Sequence, residues 1–119
     1  MNIRYYLRPA DKDNKFFMSV GSPGGPSIID YVAQTLSGVI DGKLSLKAAI
    51  DMPREVNQNG ITALESAPGA DKLTQGLTAM GHTVRVATQE GSGLHGIMKV
   101  KDGYIGAADP RRDGIALGD

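Results

Sequence analysis

The chain has 119 residues, enough for one domain with a single core that buries roughly two thirds of its unfolded surface. Its 13 basic and 13 acidic residues cancel without a basic run, which excludes nucleic acid and an anionic membrane as expected partners. The absence of cysteine excludes disulfides, thiolate nucleophiles and Cys-ligated zinc.

No segment approaches the ~20 consecutive apolar residues of a membrane-crossing helix. Residues 1–10 are too short and too polar for a signal-peptide core, so the expectation is a soluble, cytoplasmic chain. The 16 glycines sit at turn positions without a repeat, against an ordinary share of about 7 %, which points to many short elements. With four tyrosines, two phenylalanines and no tryptophan, the core is mainly aliphatic.

In chain order, residues 11–15 (Asp-Lys-Asp-Asn-Lys) form a polar turn, and the aromatic and β-branched residues of 16–20 predict a strand. The run Gly21-Ser22-Pro23-Gly24-Gly25 ends that strand, and Pro26 suits the first turn of a helix. Ile28, Val32, Leu36 and Val39, flanked by Ile29 and Ile40, recur at helical spacing, so residues 28–40 are a helix with a wide apolar stripe that packs on a sheet. Asp41-Gly42 closes it. Ser45 caps a short helix over 46–51 that Pro53 stops, and residues 57–60 are a turn.

Residues 62–65 predict a short strand, 70–80 a helix with Leu73, Leu77 and Met80 on one face, and 83–87 a half-buried strand in which Val84 and Val86 alternate with Arg85. Residues 94–100 and 104–108 predict two antiparallel strands joined at Lys101-Asp102-Gly103, where Asp-Gly is a strong hairpin signal. The tail, 109–119, is polar and irregular.

Chemistry concentrates at the glycine turn. Two adjacent glycines let backbone N–H groups converge on one point, and the helix that follows adds the positive end of its dipole. Such a turn holds a phosphate, a carboxylate or the oxyanion of acyl transfer, or it is simply a tight strand-to-helix connection. Its spacing is neither Gly-x-Gly-x-x-Gly nor a phosphate loop ending in Gly-Lys-Ser/Thr, which argues against nucleotides. Ser22 lacks the Gly-x-Ser-x-Gly elbow and reads as a turn residue. A triad of Ser22, His95 and Asp109 is not demanded by the spacing, and His82 and His95 read as structural residues. No short-range ligand motif anchors a metal, so neither metal nor cofactor is expected. Arg111-Arg112 is a surface pair or half of a buried Asp–Arg clamp on the chain's end, and Arg54 holds a loop in preference to a carboxylate ligand.

Four blocks in this order resemble the C-terminal part of the small subunit of a gamma-glutamyltransferase (gamma-glutamyltranspeptidase), an N-terminal-nucleophile hydrolase. They are Gly21-Ser22-Pro23-Gly24-Gly25 with the helix after it, Ala48-Ala49-Ile50-Asp51-Met52-Pro53-Arg54, Ser92-Gly93-Leu94-His95-Gly96-Ile97 and Gly106-Ala107-Ala108-Asp109-Pro110-Arg111-Arg112. The resemblance covers residues 16–118, so 1–15 is a non-matching segment and 16–119 a single C-terminal domain. It implies an α+β fold, part of an αββα four-layer sandwich with antiparallel sheet strands and packed helices.

It also implies that Gly24 and Gly25 form an oxyanion hole for gamma-glutamyl transfer from glutathione-type substrates, the nucleophile being a threonine freed by autocleavage. That threonine lies upstream of the glycine turn in a Thr-Thr-His context, and no Thr-Thr pair occurs here. Met1 is followed by Asn2, too large for routine methionine removal, so no new nucleophilic N-terminus is expected. Where the family carries a substrate-binding Ser-Ser-Met, this chain has Tyr5-Tyr6-Leu7-Arg8-Pro9. The expectation is a fragment that supplies the oxyanion hole, is inactive alone, and binds a gamma-glutamyl small molecule only when an upstream or separately encoded chain completes it. Relatives of full length are often exported. A stand-alone module for small anions is the remaining reading. A sheet cut from its sandwich exposes edges and an apolar face, so self-association or a missing-subunit partner is expected.

Overall fold

The structure, a computed structural model, describes the backbone of Tyr5–Leu7 and residues 10–88 and 90–118. Met1, Asn2, Arg8 and Pro9, on which part of the reading of the N-terminal segment rests, lie outside the described residues.

Among the described residues, two sheets and three α-helices make an α+β fold. The first sheet has the order β1 (Tyr5–Leu7), β2 (Met18–Ser22), β6 (His95–Val100), β7 (Gly103–Ala108), antiparallel throughout. The second has the order β3 (Glu55–Asn57), β4 (Thr62–Glu65), β5 (Val84–Ala87). The expected antiparallel pairing holds in the first sheet and between β3 and β4, and β4 and β5 alone run parallel among the described strands. Parallel neighbours need a crossover, and α3 (Ala70–Ala79), lying between them in the chain, provides it.

The strand before the glycine turn runs over 18–22 instead of 16–20. Pairing decides this: Met18 lies opposite Met98, and Gly21 lies between His95 and Tyr6, so the ladder extends to the edge of the turn. Phe16 makes only an isolated bridge to Ala10.

Helix α1 spans Ile28–Ile40 and α2 spans Leu46–Asp51, as their capping and periodicity predict. Ser45 Oγ accepts from Ala48 N–H at 3.1 Å, satisfying one of the free donors at the start of α2. The buried stripe of α1 is rotated from the expected one: Tyr31, Thr35 and Gly38 join Ile28, Val32 and Val39, while Leu36 is half-buried. Ile29 and Ile40 face solvent. This stripe and the Leu46, Ala49 and Ile50 face of α2 cover Met18 and Val20 of β2 and Ala107 of β7, which forms the core. Helix α3 buries no residue, and Leu73, Met80 and Val86 are exposed on its side of the molecule. No helix among the described residues is long and apolar enough to cross a membrane.

Candidate active site

The turn between β2 and α1 is built from two glycines with positive φ, that of Gly24 closed to other residues and that of Gly25 left-handed. Gly24 has φ 139° and Gly25 φ 59°, after which a 3₁₀ turn, Gly25–Ser27, feeds directly into α1. Ser27 N–H donates to Gly24 O at 3.3 Å, so the carbonyl of Gly24 is turned toward the helix. At Gly24 a side chain is excluded twice, by the backbone angle and by Tyr31, whose Cε2 would lie 2.7 Å from an added Cβ. Gly25 has no neighbour within 4 Å of that position and opens to solvent.

The strand end below the turn is locked. Ser22 is buried; its hydroxyl donates to Pro23 O at 2.7 Å and accepts from Gly93 N–H at 3.1 Å. Gly93 itself leaves no room, since a Cβ there would lie 2.8 Å from Arg112 Cδ and 3.0 Å from Pro23 Cγ. The segment Ser92–Gly93–Leu94 is tied in turn to Asp109: Ser92 Oγ donates to Asp109 Oδ2 at 2.6 Å, and Leu94 N–H to the same oxygen at 3.1 Å. Asp109 is buried, and burial alone would raise its pKa; the bonds from Ser92, Arg111 N–H and Leu94 N–H outweigh that and hold it below its ordinary value.

Arg111 joins the two sheets. Its Nη1 donates to Asp109 Oδ1 at 3.0 Å, just past β7, and its Nε to Glu65 Oε2 at 2.9 Å, at the end of β4. Nη1 also reaches Ile50 O at 3.2 Å and Nη2 reaches Met52 O at 2.9 Å, capping the C-terminal end of α2. Burial opposes its charge, and Glu65 and Asp109 more than offset this, so its pKa is raised. Glu65 is lowered by the same pairing, against its own burial.

Of the alternatives for the two arginines, Arg111 is the buried clamp and Arg112 is exposed, its Nε donating to Gly91 O at 2.9 Å. Arg54 is wholly buried. It donates to the carbonyls of Ala49 at 3.3 Å and of Ile50, and lies 3.5 Å from Thr35 Oγ1. It therefore holds the loop after α2, and burial, with the charge of Arg111 beside it, lowers its pKa to about 10.

The remaining candidates are dispersed. His82 is exposed after α3. His95 Nδ1–H donates to Gly93 O at 2.8 Å, and its Nε2 faces the backbone of Gly114. Ser22 and Asp109 are engaged with the partners above, and no hydrogen bond joins either to His95 among the described residues. Among the same residues no three His, Asp or Glu side chains gather as a metal site would require. A cleft of about 830 Å³ lies elsewhere, between α1, residues 52–55 and the start of α3, and none of residues 22–25 lines it. Sequence reasoning missed Tyr31, Glu65 and Glu90 around the turn. Tyr31 stands three residues after Ile28 on the helical stripe, a signal that could have found it.

The family model described as Gamma-glutamyltranspeptidase matches residues 9–119. The chain is 34 % identical over 110 residues to the glutathione hydrolase proenzyme of Bacillus subtilis (strain 168), a match that takes in 90 % of this chain and 19 % of that protein. It is 32 % identical over 109 residues to the Acylase ACY 1 proenzyme of Pseudomonas sp. (strain V22), covering 91 % of this chain and 19 % of that one. In three dimensions it superposes on a mutant of the gamma-glutamyltranspeptidase of Helicobacter pylori with a TM-score of 0.80 at 28 % identity, over 94 % of this chain and 62 % of that one.

The α+β layers are thus those of the N-terminal-nucleophile hydrolases, in the C-terminal region of the small subunit. The chain belongs to the gamma-glutamyltranspeptidase family. It spans about a fifth of the length of the curated relatives it matches.

Proposed function

We propose that these residues form the oxyanion side of an acyl-transfer site that takes gamma-glutamyl amides of the glutathione type, and that they catalyse nothing alone. The observation that carries this reading is the Gly24–Gly25 pair: two consecutive positive-φ glycines at a strand-to-helix junction, at the N-terminal end of α1 and held on both flanks. Amides fixed in place before the reaction stabilise the developing charge at no cost in reorganisation. In the completed site a threonine Oγ attacks the gamma-carbonyl carbon and its proton passes to the free α-amine. The carbonyl oxygen becomes the oxyanion that faces Gly24 and Gly25, and collapse expels the amine of the substrate with a proton. Water or an amino acid then takes the acyl group.

The 119 residues contain no Thr-Thr pair, so the threonine belongs to residues outside them, in the same chain or in a separately encoded one. In this reading 16–119 is one domain, and its uncovered apolar residues meet that partner or, without it, a second copy. The relatives named above support this reading, one being a glutathione hydrolase and the other an acylase.

Incubating the purified chain with a gamma-glutamyl anilide tests the reading. No aniline release is expected. Turnover that disappears when Gly24 and Gly25 are replaced by bulky residues would contradict it.

A further inference from the structure

The glycine turn rests against one aromatic ring. An added Cβ on Gly24 would lie 2.7 Å from Cε2 and 3.3 Å from Cδ2 of Tyr31, so ring and turn are in direct contact. Tyr31 is buried, and its hydroxyl donates to Glu90 Oε2 at 3.0 Å across 59 positions of sequence. Glu90 is anchored too, its N–H donating to Glu65 Oε2 at 2.9 Å, the oxygen that also accepts from Arg111 Nε. Burial first and Glu90 second raise the pKa of Tyr31, so its hydroxyl stays a neutral donor at pH 7.

A φ of 139° is a conformation that surrounding contacts must impose, because no local preference holds it. Nothing lies within 4 Å of a Cβ position on Gly25, whereas Tyr31 meets that of Gly24, so the ring is the nearest side chain packed against the turn. The acceptor is a carboxylate, so the 3.0 Å bond is charge-assisted, and it ties down the ring that touches the turn.

We propose that Tyr31 and Glu90 are positioning residues: their hydroxyl–carboxylate bond fixes the ring, and the ring sets the direction of the Gly24 and Gly25 amides. The consequence for catalysis rests on the oxyanion reading above, whereas the coupling between Glu90 and the turn is a property of this chain alone. Passive packing makes the opposite forecast, since a ring without its hydroxyl would then serve equally well.

The chain labelled with 15N-glycine gives the test, through the amide resonances of Gly24 and Gly25. Tyr31→Phe and Glu90→Ala each shift both resonances, and the double variant shifts them no further than either single change. Glu90→Gln, which keeps an acceptor, restores most of the native positions. Gly103, in the distant hairpin, stays unmoved and reports an intact fold. Unchanged Gly24 and Gly25 resonances in Tyr31→Phe, or shifts that add in the double variant, overturn the proposal. In the chain completed with a threonine-bearing segment, Tyr31→Phe lowers kcat for a gamma-glutamyl anilide relative to the unsubstituted assembly and leaves KM in place. Coupled resonances together with no wild-type turnover in that assembly would defeat the oxyanion reading and leave the positioning role standing.

Discussion

The four-stranded sheet and the three-stranded sheet differ in what covers them. The first buries Met18, Val20 and Ala107 under two helices, and the glycine turn stands at the end of its second strand. The second sheet has α3 beside it, yet α3 buries nothing, and Leu73, Met80 and Val86 lie open, with the cleft alongside. The turn is therefore mounted on the half of the molecule that supplies most of the core. The other half shares only Val56 and Ala63 with that core and is tied to it as well by Arg111, bonded to Glu65 in one sheet and to Asp109 beside the other. Rigidity at the site depends on that bridge more than on any packing by α3.

Removing the bridge has the largest expected effect. Arg111→Ala leaves Glu65 and Asp109 buried without their counter-charge, a loss of about 3–5 kcal/mol, comparable to the whole stability of a marginal domain. Urea unfolding monitored by circular dichroism reads it, and a loss under 1 kcal/mol would show that the sheets are joined by other means.

Acid gives a smaller and graded effect of the same origin. Asp109 and Glu65 have folded pKa values below their ordinary ones, so the folded state binds fewer protons there than the unfolded state. Their contribution is complete above the free carboxylate range, about pH 4, and disappears as pH falls through the folded values. Thermal midpoints should hold from pH 7 to pH 5 and fall steeply below pH 4. A midpoint indifferent to pH in that range would contradict the pairing.

The smallest effect belongs to α3. Leu73→Glu should change stability by no more than about 0.5 kcal/mol, because the side chain is already partly in water. It should also reduce self-association, which light scattering measures. A destabilisation of several kcal/mol would mean that α3 is packed far more tightly than its exposure indicates.

Elements governed by neighbours in sequence were legible before the structure. The bounds of α1 and α2 follow from Pro26, Ser45, Pro53 and helical spacing, and the β6–β7 hairpin follows from Asp102-Gly103. The strands β1 and β3 were not, since each is three residues long and defined by pairing, Tyr6 with Gly21 and Val56 with Ala63. Parallel pairing of β4 with β5 was hidden for the same reason. At the site, the glycines announced a turn by their type alone. The Tyr31–Glu90 contact depends on residues 59 positions apart, and the burial of Arg54 depends on carbonyls freed at the end of α2. A single sequence carries no sign of either.

The central claim is that Gly24 and Gly25 lend their amides to a nucleophile supplied by other residues. Its most direct measurement is gamma-glutamyl anilide turnover by this chain co-expressed with a segment that carries the family's threonine. The account predicts turnover that neither part shows alone, and a fall in kcat of about 10²–10³ when Gly24 is replaced by alanine, whose Cβ meets Tyr31 and turns the retained amide away, at most the cost of losing one oxyanion donor. Full activity with Gly24→Ala in a folded complex would contradict it.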